Sequence, residues 1–91
     1  MKIDICGHPF TIVVNSDEEK REGNLGKCDT MSGVIKINMT CPKFLQESVL
    51  VHEWIHGVFD LNGISHQEIQ VAVLANELYR VGFRVTVEEK E

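Results

Sequence analysis

The chain has 91 residues, 43% hydrophobic and 25% charged, the composition of a single globular domain rather than of a disordered segment. Its 9 Lys and Arg stand against 14 Asp and Glu, and the formal net charge of −5 is opposite to the basic surface of a nucleic-acid-binding protein. No apolar run approaches the roughly 20 residues that cross a bilayer, and Asp4 falls where the apolar part of a leader would begin.

Ile3 and Ile5, then Phe10, Ile12 and Val14, alternate with other residues and predict two strands, with Gly7-His8-Pro9 as the turn between them. The polar stretch from Ser16 to Asn24 reads as a loop, or as a short helix capped by Ser16 and Glu19. Leu25 to Thr30 and Val34 to Asn38 predict a second pair of strands around Ser32-Gly33. A long helix is expected from Thr40 or Cys41, with Pro42 near its first position, through Leu45, Val49, Trp54, Ile55, Val58 and Phe59 to Asn62-Gly63. A second helix is expected from Ser65, with Ser65 and Glu68 as a capping box, through Ile69, Ala72, Val73, Leu78 and Val81 to Gly82. Phe83, Val85 and Val87 alternate and suggest a short final strand. The expected fold is one α+β domain over residues 1–91, a small N-terminal sheet packed on two C-terminal helices. The three cysteines, Cys6, Cys28 and Cys41, form no CxxC pair and are expected as buried or half-buried thiols; with the missing leader they point to the cytoplasm.

The chemistry is expected inside the first helix, at His52-Glu53-Trp54-Ile55-His56. Residues four apart share a helix face, about one turn or 6 Å apart, so His52 and His56 can converge on one ion. Zinc takes neutral imidazole nitrogen at about 2.0–2.1 Å. Glu53 can then act as general base on a water at the ion's open position. A catalytic zinc also needs a third protein ligand. The extended motif is absent, because Phe59 and Asn62 stand where its glycine and histidine would be. The third ligand must come from the second helix, and spacing leaves Glu68 and His66 as equal candidates, with Glu77 three turns too far along. Glu68 can instead serve only as a cap, and His66 can be an exposed first-turn residue.

The stretch Leu25 to Asp29, the strand Val34 to Asn38, the motif Leu50 to His56 and the helix through Leu74-Ala75-Asn76-Glu77-Leu78-Tyr79-Arg80 together resemble the compact HExxH zincin-like proteins of phages and integrated elements, distant relatives of the phage-immunity metallopeptidases. In that pattern a glycine follows the second histidine by seven residues, as Gly63 does, and a His or Glu follows it by twelve, as Glu68 does. The resemblance implies a zinc metallopeptidase, with His52, His56 and Glu68 as ligands, Glu53 as general base, and a peptide or protein substrate. It also implies that an edge strand binds the substrate as an extended chain, for which Val34 to Asn38 is the expected strand unless it lies inside the sheet. The tail after Tyr79 is more strand-like than the pattern's usual polar end. The rival expectation is a structural zinc clip in a non-catalytic binding or regulatory module of phage or mobile-element origin. Trp54 is expected in the core, Tyr79 half-buried on its helix rather than as an oxyanion donor, and His8 exposed in a turn. Asp60, four residues after His56, is expected either to orient a ligand imidazole or to be solvated.

Overall fold

The computed structural model describes residues 1–14, 26–38 and 42–87. Strands β1 (Lys2–Ile5) and β2 (His8–Val14) pair antiparallel, with Ile5 opposite His8, so the turn is the two-residue loop Cys6-Gly7 and not Gly7-His8-Pro9. Both loop residues have positive φ, 52° at Cys6 and 84° at Gly7, as a tight hairpin matching strand twist demands, and the Asp4 carboxylate accepts the Gly7 N–H at 3.1 Å. His8 and Pro9 are therefore strand residues. The Ile12 N–H donates to Met1 O while that of Thr11 donates to Gly33 O, so alternate residues of β2 face opposite neighbours. Pro9 shares the parity of Thr11 and lies before the first rung on that side, so its missing N–H breaks no bond.

Strands β3 (Gly26–Asp29) and β4 (Val34–Ile37) form the second hairpin. Its turn is held by Asp29, whose carboxylate accepts the N–H groups of Met31 and Ser32 at 3.0 and 3.3 Å. The sheet order is β1-β2-β4-β3, with β2 and β4 parallel. Val34–Ile37 is therefore an interior strand, the alternative left open for it, and among the described residues the edges are β1 and β3, so the candidate edge beside the helix motif is β3 rather than Val34 to Asn38. Ile3, Ile5, Phe10, Ile12, Ile35 and Ile37 are buried on the helix-facing side, as a period of two requires.

Helix α1 (Lys43–Leu61) follows Pro42, which sits at the cap position; Thr40 and Cys41, the expected start, lie outside the described residues, as do Ser16 to Asn24 and Leu25. The helix ends at Asn62-Gly63 as expected, with φ 67° at Gly63. Its sheet-facing side contributes Leu50 to the core of β1, β2 and β4, and Val51 and Ile55 on the other side bury against Val71 and Ala75 of helix α2 (Glu68–Arg80). Helix α2 starts later than Ser65. Gln67 is its extended cap residue (φ −109°, ψ 156°), and Gln70 Oε1 accepts the Gln67 N–H at 2.8 Å, so the Ser65–Glu68 capping box does not form. Residues 64–67 lie outside the helix, and in this connection His66 packs against Phe59 and His56, ring centroids 5.1 and 5.0 Å apart. The outward positions Ile69 and Val73, expected on the packed face, are 65% and 58% exposed.

Phe83, Val85 and Val87 form no strand. They lie half-buried against the helices and core, with the Phe83 ring 5.5 Å from Trp54. The alternation reports an extended chain buried on one side, not ladder pairing. Trp54 is half-buried, packs against both core clusters and donates Nε1–H to Asp4 O at 3.0 Å, so its role is packing between them. The molecule is α+β, a four-stranded N-terminal sheet packed with two C-terminal helices.

Candidate metal centre

Where β3, the middle of α1 and the first residue of α2 meet, the chain places His52, Glu53, His56 and Glu68 together. His52 and His56 are one turn apart with ring centroids at 5.0 Å. Glu68 bridges them, with Oε2 2.6 Å from His52 Nε2 and Oε1 2.8 Å from His56 Nε2. One donor atom from each of the three lies within 4.8 Å of the others, so the group could hold a metal ion. Donors at 2.0–2.1 Å from a tetrahedral ion stand about 3.4 Å apart, inside the range these atoms already span. The donor set is also chemically suited: two imidazoles and a carboxylate suit zinc and several other divalent ions. Glu68 stands at the first position of α2, where the helix dipole favours a carboxylate, and its side chain is 72% exposed, so the position opposite the histidines is open to solvent.

Helix α1 can approach the sheet this closely because two glycines lie at the contact. A Cβ on Gly57 would stand 2.8 Å from Ile5 Cδ1 and 3.3 Å from Cys28 Sγ. A Cβ on Gly26 would stand 2.7 Å from Val49 Cγ1 and 3.3 Å from Glu53 Cγ. The Gly26 backbone thus lies directly over Glu53 and covers it, leaving Glu53 only 7% exposed. Neither glycine was singled out by sequence reasoning. The signal existed for Gly57: a glycine inside a helix costs about 1 kcal/mol against alanine and needs a packing reason.

The electrostatics follow from this packing. Burial, and secondarily the Glu68 charge, push the Glu53 carboxyl up to about 8 from 4.5. Burial lowers the His56 pKa and outweighs the opposing bond and charge of Glu68, so the imidazole favours the neutral, ligating form. Partial desolvation pushes Glu68 up, but the His52 charge and the hydrogen bonds of both histidines outweigh it, and its pKa is lowered. Cys28 is half-buried at the same wall, and burial, with the charges of Glu53, Asp60 and Asp29, raises its thiol to about 12 from 9.0. Cys6 is exposed, against expectation, because the tight turn carries it outward, and Cys41 lies outside the described residues.

His66 is not in the cluster. Its Nε2 lies 2.9 Å from His56 Nδ1, on the far side of that ring, and its Nδ1 lies 3.0 Å from Ile64 O. The choice that spacing left open between Glu68 and His66 thus falls to Glu68 for the group that converges. Asp60 does not orient His56; its nearest approach is 3.9 Å to His66 Nε2. Glu77 pairs with Arg80 at 2.8 Å, Tyr79 lies under the Arg84 guanidinium near the other end of α2, and His8 is exposed on β2. A cleft of about 280 Å³ beside the cluster is lined by Gly26, Lys27, Cys28, Glu53, His56, Asp60 and Glu68.

No family model, curated protein or solved structure matches this chain. The functional reading therefore rests on the side-chain geometry. Among the described residues, no helix is long and apolar enough to cross a membrane.

Proposed function

We propose that the protein is a zinc-dependent metallohydrolase, a peptidase of the compact zincin-like kind, in which Glu53 handles the proton. The observation that carries this is the pairing of an open two-histidine, one-carboxylate group with a second acidic side chain, Glu53, buried beside it. His52, His56 and Glu68 would hold the ion. Zinc, when bound, supplies a Lewis acid that polarises a carbonyl and acidifies water. Glu68 is the carboxylate that bonds both histidines, which leaves Glu53 to take a proton from the attacking water and return it to the leaving amine. The raised pKa of Glu53 suits this role, because in the field of a dication the group ionises yet remains basic enough to accept a proton near neutrality.

The cleft supports a peptide as substrate. Strand β3 forms one wall, and among the described residues its outer edge pairs with no other strand. An extended chain added there by backbone hydrogen bonds would run past Glu53 and His56. A structural clip needs a fourth protein ligand. His66 turns to the back of His56, and Cys28 packs against Gly57, so the described residues favour the open, hydrolytic site. The net charge of −5 and the free thiols Cys6 and Cys28 support a cytoplasmic protein whose partner is a peptide or protein rather than a nucleic acid or a membrane.

The test is Glu53→Gln in the zinc-loaded protein, assayed on a mixed peptide library by mass spectrometry. The variant should retain about one zinc and lose hydrolysis by about 10²–10⁴-fold. Cleavage by the variant at the parent rate would remove Glu53 from the chemistry.

A further inference from the structure

We propose that His66 is a positioning residue for the metal centre, holding His56 so that its Nε2 lone pair faces His52 and Glu68. This role rests on the reading that His52, His56 and Glu68 hold an ion, and it belongs to a residue outside that group.

The protons along one chain of contacts can be counted. Ile64 O, 3.0 Å from His66 Nδ1, can only accept a hydrogen bond, so the proton of a neutral His66 sits on Nδ1. Its Nε2 is then an acceptor. That nitrogen lies 2.9 Å from His56 Nδ1, and the bond forms only if His56 Nδ1 carries the proton. A neutral His56 protonated at Nδ1 has a bare Nε2, the atom that faces the cluster. At that end Glu68 Oε1, 2.8 Å away, is another acceptor, so full satisfaction of all three contacts takes one positive charge more than two neutral imidazoles carry. A cation at His56 Nε2 supplies that charge and leaves the two bonds behind it intact. Metal-binding histidines commonly have the second ring nitrogen fixed in this way, by a carboxylate, a carbonyl or water. Here a second histidine, itself anchored on the α1–α2 connection, does so.

The placement of His66 fits the role. Its side chain is 12% exposed and wedged between His56 and Phe59, with ring centroids at 5.0 and 5.1 Å and ring planes tilted by 50° and 45°, an edge-on approach to His56 that suits a bond between ring nitrogens. The nearest acidic group, Asp60 Oδ1, is 3.9 Å from His66 Nε2, too far to compete for the bond. The late start of α2 is consistent with this: residues 64–67 stay outside the helix, with Gln67 extended, and Ile64 O and the His66 ring lie behind His56.

The experiment measures Zn²⁺ affinity by competition with a chromophoric chelator, and bonding by NMR of ¹⁵N-histidine-labelled, zinc-loaded protein. In the wild type we expect His66 protonated at Nδ1 and a ¹⁵N–¹⁵N coupling across the bond from His56 Nδ1 to His66 Nε2. His66→Leu should weaken zinc binding by about 10–100-fold, and His66→Gln, whose Oε1 can accept the same proton, should stay within a few-fold of wild type. A His66 protonated at Nε2 in the zinc-loaded wild type would overturn the proposal, and this arm needs no variant to fold. Equal losses in the Leu and Gln variants would also overturn it, since the role would be packing alone. A wild type that binds no zinc would sink the metal reading itself, whereas tight binding unchanged in His66→Leu would sink only the role of His66.

Discussion

The Glu53 carboxyl is covered by the Gly26 backbone, and that cover makes the metal-free protein sensitive to pH. Its folded pKa, about 8, lies above the ordinary 4.5, so between these values the folded protein holds a proton that the unfolded chain has released. Stability from this group is complete below about 4.5 and is lost as the pH rises through 8. His56, whose pKa is lowered, acts in the opposite sense, so the contribution of Glu53 is read as wild type minus Glu53→Gln. Denaturant unfolding of both proteins, stripped of metal, should show the variant gaining on the wild type by on the order of a few kcal/mol between pH 5 and pH 9. A pH-independent difference would contradict the burial of an ionisable group there. Cys28 gives a second residue-scale prediction. With its thiol raised to about 12, it holds almost no thiolate at neutral pH. In a Cys6→Ser, Cys41→Ser background, iodoacetamide should label the native protein at least about tenfold more slowly than the urea-unfolded chain, and equal rates would count against the packing on Gly57.

At the scale of elements, the contact between α1 and the sheet depends on two side chains that are not there. Gly57→Ala would gain about 1 kcal/mol of helix propensity but would drive a methyl to 2.8 Å from the fully buried Ile5 side chain. Overpacking of this kind costs about 1–3 kcal/mol. Gly26→Ala has no propensity gain of that kind and meets Val49 and the Lys36 carbonyl, at 2.7 and 3.2 Å. It should destabilise the fold by about 1–3 kcal/mol and move β3 away from Glu53, which thermal unfolding and hydrogen exchange at the β3 amides would report. Such contacts explain what could and could not be read in the sequence. The first hairpin and α1 were legible because Ile3/Ile5 and Phe10/Ile12 repeat with the period of a strand and Leu45, Val49, Trp54, Ile55, Val58 and Phe59 with that of a helix. The start of α2 was not, because Ser65 and Glu68 match a local capping pattern while His66 is held by long-range packing on Phe59 and His56. The strand expected over Phe83 to Val87 failed for a related reason: alternation reports one-sided burial, and nothing local says whether the segment pairs into a sheet or only packs on the core, as Val85 and Val87 do on the sheet-side cluster and Phe83 on the helix-side one. The position of Val34–Ile37 inside the sheet depends on pairing order, which a single strand does not encode. The histidine pair was legible because a helix fixes residues i and i+4 in space; across the connection, spacing left Glu68 and His66 level, the resemblance pointed to Glu68, and it is Glu68 that the fold brings to the pair.

Across the whole molecule, α1 is the shared element, with the sheet on one side and α2 on the other, and His52, His56 and Glu68 span its junction with α2. An ion held there would cross-link two helices that otherwise meet through Val51, Ile55, Val71 and Ala75. At a free zinc concentration of 100 times Kd the folded state should gain about 2.7 kcal/mol, or on the order of 10–20 °C in Tm for a domain of this size. Glu68→Ala should abolish most of that gain while costing the metal-free fold only about 1 kcal/mol, for its exposed bonds to the two histidines and its place at the helix N-terminus. The central claim is that one divalent ion is held by two imidazoles of α1 and the first carboxylate of α2. Its most direct test is calorimetric titration of tag-free, chelator-stripped protein with Zn²⁺, its fold checked by far-UV circular dichroism. The account predicts saturation at one zinc per chain in the wild type and loss of that binding in His52→Ala, His56→Ala and Glu68→Ala. A folded wild-type protein that takes up no zinc from an excess, or that binds it equally well without these three side chains, would contradict it.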